Sequence, residues 1–252
     1  MSNYDLQTIN AKNPIARYSH RTRVRHSIEL AKGRLASGRI LDYGCGSGVF
    51  VNEMNQIRSG IAYGYEPYLK DRTAENLPIY RDFEDVKAFG PFSTITLFET
   101  LEHLSATELD EFLERSSQVL DGEGRILISA PIEIGPALIM KELNRTFLKF
   151  KKSEHHFSEF VKAAVFAKPA RRAPNIKYSH RGFDFRQAIQ EIESRGWKVT
   201  ILSFSPLPVI GWYGNSQVFM SVAKTTSLDD VPVADDANLV KTGDRSGAVS
   251  VQ

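Results

Sequence analysis

The chain has 252 residues, 42% of them hydrophobic and 25% charged, with a formal net charge of +2. That balance excludes a disordered chain and gives neither nucleic acid nor membrane a global charge to recognise, and the length suits one α/β domain with additions. The single cysteine, Cys45, excludes an intrachain disulfide and points to a reducing, cytoplasmic setting.

The first residues, MSNYDLQTINAKNP, have no apolar core and read as a mobile lead-in, not a signal peptide. From Ile15 to about Leu35 the pattern is helical and basic, with Arg17, Arg21, Arg23 and Arg25 close together. Residues 1–37 are thus a lead-in and basic helix ahead of a main domain spanning 38–224. GRILDYG reads as a buried strand, residues 48–58 as a helix closed by Gly60, and IAYGYEP as a second strand stopped by Pro67. PIYRDF is a short third strand, and FSTITLFE, rich in β-branched and aromatic residues, is a fourth. Ser105 and Glu108 form an S-x-x-E capping box for a helix to about Leu120, after which DGEG turns the chain into a fifth strand, RILISAP. Residues 135–180 form a long, irregular, partly helical insertion. Phe185, Ala188, Ile189 and Ile192 share one helical face that stops at Gly196, and WKVTILSF and SQVFMSVA follow as a last pair of strands. Residues 199–223 carry no charge, but Pro206, Pro208, Gly211, Gly214 and Asn215 break the run into two strands and a loop rather than a membrane span. Residues 225–252 are small and polar without period and read as a disordered tail.

Strands alternating with helices predict a doubly wound, largely parallel sheet. The last two strands are joined by a loop too short for a parallel crossover, so they must be antiparallel neighbours. Behind the first strand stands ILDYGCGSGVF, with Gly44, Gly46 and Gly48. A phosphate-binding loop needs a Lys-Ser or Lys-Thr that is missing here, and the dinucleotide fingerprint needs a glycine where Val49 stands. Glu66 ends the second strand, 22 residues beyond Gly44, where a carboxylate can accept from both hydroxyls of a ribose. Asp42, beside the glycines, would repel a pyrophosphate and welcome an ammonium or a sulfonium. S-adenosylmethionine meets both conditions; a dinucleotide fits poorly.

Here the sequence resembles the class I S-adenosylmethionine-dependent methyltransferases, over about residues 38–223. ILDYGCGSG is similar to that family's first motif, GYEP to its second, RDFEDV to its third and TITLFETLEHL to its fourth. The E-x-L-E-H-L stretch and the later SHRGFDFRQAIQEIESRGWKV resemble the branch that includes ubiquinone-pathway O-methyltransferases. The resemblance implies a Rossmann-like sheet of seven strands in the order 3-2-1-4-5-7-6 with the last strand antiparallel. Its cofactor would be S-adenosyl-L-methionine, held by Asp42, Tyr43, Gly44, Gly46, Gly48, Glu66, Asp82, Phe83, Phe98 and Glu99. Within that set the resemblance gives Asp42 the methionine end of the cofactor, Asp82 and Phe83 the adenine, and Phe98 and Glu99 the methionine portion.

Methyl transfer is an in-line displacement driven by the sulfonium, so the protein aligns the acceptor and removes a proton if the acceptor is a hydroxyl. The implied strand order reverses between strands 1 and 4, which opens a ligand crevice beyond their ends, and His103, at its rim, is the candidate catalytic base; the competing reading is that Glu102 and His103 only hold the loop. His180 begins SHRGF and would reach the acceptor pocket, while His20 and Arg21 would close over the cofactor's carboxylate or belong to a solvated basic helix. EHHFSE, with His155 and His156, lacks the spacing that places two ligands on one helical face, so no metal site is expected. Residues 141–181 hold eleven Lys or Arg against three Glu, interleaved with phenylalanines. This basic cap reads either as a solvated face or as a lid for a small-molecule or lipid- or glycan-linked anionic acceptor. It also suits peripheral contact with an anionic membrane. Nucleic acid is disfavoured, because aromatics at helical spacing pack a core more readily than they stack bases. The expectation is therefore an O-directed S-adenosylmethionine-dependent methyltransferase, set against a non-catalytic binding protein that uses the basic cap on nucleic acid or anionic membrane and would be free to lose Asp42, Glu66 and the glycines. A nicotinamide-dependent oxidoreductase is disfavoured by Val49 and by the lack of a Tyr-x-x-x-Lys pair.

Overall fold

The runs of β-branched and aromatic residues become the strands of one sheet, and the amphipathic segments become the helices that cover it. The computed structural model describes residues 14–33, 38–69, 76–143, 157–170 and 181–225. The lead-in, the tail from residue 226 and the most basic stretches of the insertion, 144–156 and 171–180, lie outside the described residues.

In chain order the elements are α1 (Pro14–Lys32), β1 (Ile40–Tyr43), α2 (Val49–Ile57), β2 (Ala62–Tyr65), β3 (Ile79–Tyr80), α3 (Phe83–Lys87), β4 (Phe92–Phe98) and a 3-10 turn, Leu101–His103. They continue as α4 (Ala106–Val119), β5 (Leu120–Pro131), α5 (Pro136–Leu143), α6 (Phe157–Phe166), α7 (Phe185–Glu193), β6 (Trp197–Ser205), a 3-10 loop over Pro208–Gly214, and β7 (Gln217–Lys224). The seven strands pair in the order β3-β2-β1-β4-β5-β7-β6, as expected. β1 pairs in parallel with β2 and β4, β2 with β3, and β4 with β5, whereas β7 runs antiparallel to both β5 and β6. β4, in the middle of the sheet, is buried along nearly its whole length, as a parallel strand covered on both faces should be.

Two apolar layers hold the helices on. Ile40, Ala62, Ile61 and residues of α1 and α2 (Ala31, Phe50, Val51, Met54) pack on one face. On the other, Leu41, Ile95, Leu97, Ile126 and Ile128 meet α3, α4 and α7 through Val86, Phe112, Leu113 and Ile192. α1 is also tied to the far strands, since His26 Nε2 lies 2.6 Å from Ser203 Oγ and its ring meets Phe219 edge-on at 4.5 Å. The capping box forms as predicted: Glu108 N donates to Ser105 Oγ at 3.3 Å and Ser105 N donates to Glu108 Oε2 at 2.9 Å.

One reading needs correction. DGEG is not a turn ahead of β5 but a bulge within it. Phe92 pairs with Leu120 while Thr94 pairs with Arg125, so the intervening residues loop out of register. Asp121 Oδ1 accepts from Glu123 N at 3.1 Å, so the turn chemistry is present but serves to accommodate extra strand residues. Among the described residues no helix is long and apolar enough to cross a membrane.

Candidate functional site

β1 neighbours β2 on one side and β4 on the other, so the chain reverses its direction of travel across the sheet at β1. Crevices form beyond the carboxyl ends of strands at such a point. Three stretches border it: the glycine loop after β1, Glu66 after β2, and Phe98–His103 at the end of β4.

The loop is anchored to β2. Gly44 N and Cys45 N both donate to Tyr65 O, at 2.8 and 3.3 Å, and Gly46 N donates to Glu66 Oε2 at 2.9 Å. Tyr68 N donates to Glu66 Oε1 at 3.1 Å, so each carboxylate oxygen is oriented by one backbone amide and keeps a lone pair for a further donor. All three glycines have positive φ, but their surroundings differ. A Cβ on Gly44 would lie 2.7 Å from Thr100 Cγ2, and one on Gly48 would lie 2.3 Å from Ile79 Cδ1. At Gly46, with φ of +53°, nothing lies within 4 Å of that position. Gly44 and Gly48 are therefore demanded by packing against Thr100 beyond β4 and Ile79 of β3, and of the three only Gly46 faces open space.

Asp42 is 4% exposed and accepts a hydrogen bond from Thr96 Oγ1 at 2.7 Å. Burial pushes its carboxyl up to about 7, against the Thr96 bond and with a smaller push from Glu66. The Cys45 thiol is pushed up as well, first by burial and then by the same two acids. Among the described residues no Lys, Arg or His pairs with Asp42 or Glu66. Among the described residues, the edge of the crevice thus carries two carboxylates and no cation paired with either.

Other predicted residues are placed differently. Tyr43 alternates with Asp42 along β1, so its ring points to the opposite face, where its hydroxyl accepts from Arg115 at 3.3 Å. Burial pushes its phenol up to about 12. Phe83 is buried beside it, with ring centroids 6.3 Å from Tyr43 and 5.5 Å from Tyr65, under the Arg115 guanidinium. Both are core aromatics, packed with Tyr65 and Phe112 on the face of the sheet opposite Asp42. Asp82 is exposed and caps α3, its Oδ1 accepting from Glu84 N at 3.0 Å. Phe98 stays on the Asp42 side of the sheet, edge-on to Phe50 at 5.2 Å. The Glu99 backbone takes φ of +53°, its N–H donates to Ser129 Oγ at 3.2 Å, and its carboxylate accepts from Ser129 and from Gln217 Nε2. Ser129 and Gln217 belong to β5 and β7 and project on the Asp42 face, so Glu99 reaches sideways along that face toward β5 and β7.

His103 sits in the short 3-10 turn with its side chain 34% exposed, its Nε2 3.9 Å from the fully buried Glu102 Oε1. Thr96, Thr100, Ser129 and Gln217 were missed by sequence reasoning. A threonine in a strand reads as β-propensity, and only the register of β1 with β4 reveals that Thr96 meets Asp42. His155, His156 and His180 lie outside the described residues, as do the side chains of His20 and Arg21. Among the described residues no group of three or more His, Cys, Asp or Glu is placed to hold a metal ion.

A family model described as a methyltransferase domain matches residues 16–168, a span that contains the glycine loop, Glu66 and His103. No curated protein matches the chain. Among solved structures, a SAM-dependent methyltransferase from Archaeoglobus fulgidus is 14% identical, with 88% of this chain and 100% of that one covered and a TM-score of 0.53. The 1,6-didemethyltoxoflavin-N1-methyltransferase of Burkholderia thailandensis, solved with 1,6-didemethyltoxoflavin and S-adenosylhomocysteine, is also 14% identical. That match covers 81% of this chain and 78% of the other at a TM-score of 0.50. At such identities the likeness is one of fold.

Proposed function

The chain belongs to the methyltransferase-domain family and is an S-adenosylmethionine-dependent methyltransferase, and from that premise we propose that it methylates a hydroxyl on a small-molecule or lipid- or glycan-linked acceptor. The observation that carries the reading is the pair of carboxylates, Asp42 and Glu66, paired with no cation among the described residues, on either side of the open Gly46 backbone. That donor set fits a ligand with a ribose diol and a positive charge and rejects a polyphosphate. Glu66 is the residue for the ribose, Gly46 for close backbone approach, Asp42 for the cationic end, and Phe98 for apolar contact near it. When bound, S-adenosylmethionine supplies an electrophilic methyl group on a sulfonium.

His103 is the residue for the acceptor's proton. As a general base it would take the acceptor's hydroxyl proton as the methyl group passes from sulfur to oxygen, with S-adenosylhomocysteine as the leaving group. The basic composition of residues 141–181 supports an acceptor that carries negative charge. Incubation with methyl-labelled S-adenosylmethionine and fractionated cell extract, followed by mass spectrometry of the labelled product, tests the reading. Label on an oxygen of a small or lipid-linked molecule is expected, and label on nitrogen, on carbon or on nucleic acid refutes it. With the acceptor in hand, His103→Ala should lower turnover about 10²–10⁴-fold while leaving affinity for S-adenosylhomocysteine unchanged.

A further inference from the structure

The edge of the sheet that bears the crevice also bears an apolar surface that the site does not use. The loop Pro208–Gly214 leaves the carboxyl end of β6, so it stands on the same edge as the glycine loop. Val209 there is 94% exposed and Tyr213 59%, with Leu207 and Ile210 also exposed. At the end of α6, Phe166 and Val165 are 66% and 65% exposed. Leaving so much apolar surface in water costs about 25 cal/mol per Å². An exposed patch of this kind marks a contact site.

The loop is built to hold this shape. Asn215 is fully buried; its Oδ1 accepts from Leu207 N at 2.6 Å, and its Nδ2 donates to Leu207 O at 2.7 Å and Gly211 O at 2.5 Å. The loop packs on α5 and is linked through Gly135 and Arg186 to the end of α6. Gly135 N donates to Ala163 O at 2.8 Å, and a Cβ on Gly135 would lie 2.6 Å from the Trp212 ring. Arg186 donates to Ala167 O at 2.7 Å and lies over the same ring, 5.8 Å from its centroid. Gly135, Trp212 and Arg186 therefore join the loop to the end of α6.

Charge identifies the occupant. Lys162 and Lys168 are exposed around Val165 and Phe166, while the acid of this helix, Glu159, is paired with Arg181. Residues 199–223 contain no acid at all, and the surrounding sequence 141–181 is strongly basic. Apolar tips flanked by lysines, with Trp212 and Tyr213 stacked at 4.1 Å in the same loop, have the composition of an interfacial membrane anchor. The projecting Val209 suits insertion between lipids better than apposition to a flat protein face. We propose that the Pro208–Gly214 loop and the carboxyl end of α6 dock on an anionic bilayer, bringing the crevice to an acceptor held in or on the membrane. The acceptor's location rests on the methyltransferase reading above; the docking does not.

The test is sedimentation of the full chain with vesicles of phosphatidylcholine, alone or mixed with phosphatidylglycerol, alongside calorimetry with S-adenosylhomocysteine. The protein should sediment with the mixed vesicles, less with the neutral ones, and less again in high salt. The double substitution Val209→Glu and Phe166→Glu should weaken that binding about tenfold or more. Both side chains are exposed, so melting temperature and S-adenosylhomocysteine affinity should not move. Equal sedimentation of variant and wild type, or none with mixed vesicles, overturns the docking. So does a wild-type dimer that the substitutions dissociate, which would assign the surface to a second copy. Failure of the wild type to bind S-adenosylhomocysteine would instead refute the cofactor reading and leave the vesicle result standing.

Discussion

If Asp42 receives the cationic end of S-adenosylmethionine, binding must be coupled to its ionisation. Burial holds its carboxyl at about 7 in the free protein, so it is largely ionised at pH 8 and largely neutral at pH 6. A cationic ligand favours the ionised form. Affinity should therefore plateau above about pH 8 and fall about tenfold, or 1.4 kcal/mol, for each unit below 7. Calorimetry from about pH 5.5 to 8.5, in buffers of different ionisation heat, reads both this slope and the proton released near pH 6. In Asp42→Asn the affinity should be low and flat with pH. The same substitution has an opposite effect on stability. Because the folded pKa lies above the ordinary 3.8, Asp42's favourable contribution is complete below about pH 4 and is lost as the pH rises through 7. Asparagine keeps the shape and can still accept from Thr96, so the variant should be more stable at pH 8, by up to about 4 kcal/mol. A wild-type affinity that does not change across this range would refute the coupling and remove Asp42 from the site.

Gly46→Ala and Gly48→Ala should separate binding from folding: both carry the cost of a left-handed residue, about 1 kcal/mol, but only at Gly48 does the new methyl strike Ile79. The Gly48 variant should show the larger fall in melting temperature and the Gly46 variant the larger loss of S-adenosylhomocysteine affinity by calorimetry; the reverse order would place the ligand elsewhere. Glu66→Ala should weaken that affinity by about 1–3 kcal/mol, the scale of hydrogen bonds to a charged group, and unchanged affinity would remove it from the ribose. Ser105→Ala removes the hydroxyl that caps α4 and should cost about 1 kcal/mol, read as a fall of a few degrees in melting temperature with binding intact.

The doubly wound parallel sheet was legible because each strand is a short apolar run with turn residues at its ends, and the antiparallel last pair because the connection from β6 to β7 is too short to cross over; the strand order itself came only from the resemblance to the class I methyltransferases. The bulge at Asp121–Gly124 was not, since Asp and Gly serve turns and bulges alike and only pairing with β4 distinguishes them. At the site, spacing located Asp42 and Glu66 but could not say which way their neighbours face. Tyr43 and Phe83 read as ligand contacts from their motifs, yet strand alternation and the pull of the Tyr43–Tyr65–Phe112 cluster bury them on the opposite side. Glu99 shows a different limit. Its direction depends on a single left-handed backbone angle and on partners from β5 and β7, more than a hundred positions away in the case of Gln217.

That angle divides the functional edge between two neighbours in sequence. Phe98 ends β4 facing α2 and the glycine loop, and the reversal at Glu99 sends the next side chain to β5 and β7. The two halves of the edge share one strand and little else. Replacements in β5, β7 and their loops alter what surrounds Glu99 while leaving Asp42, Gly46 and Glu66 with the same partners. A lineage can thus exchange one chemical customer for another on one flank and inherit the opposite flank unaltered, and a chimaera joined within β4 would put that division to use.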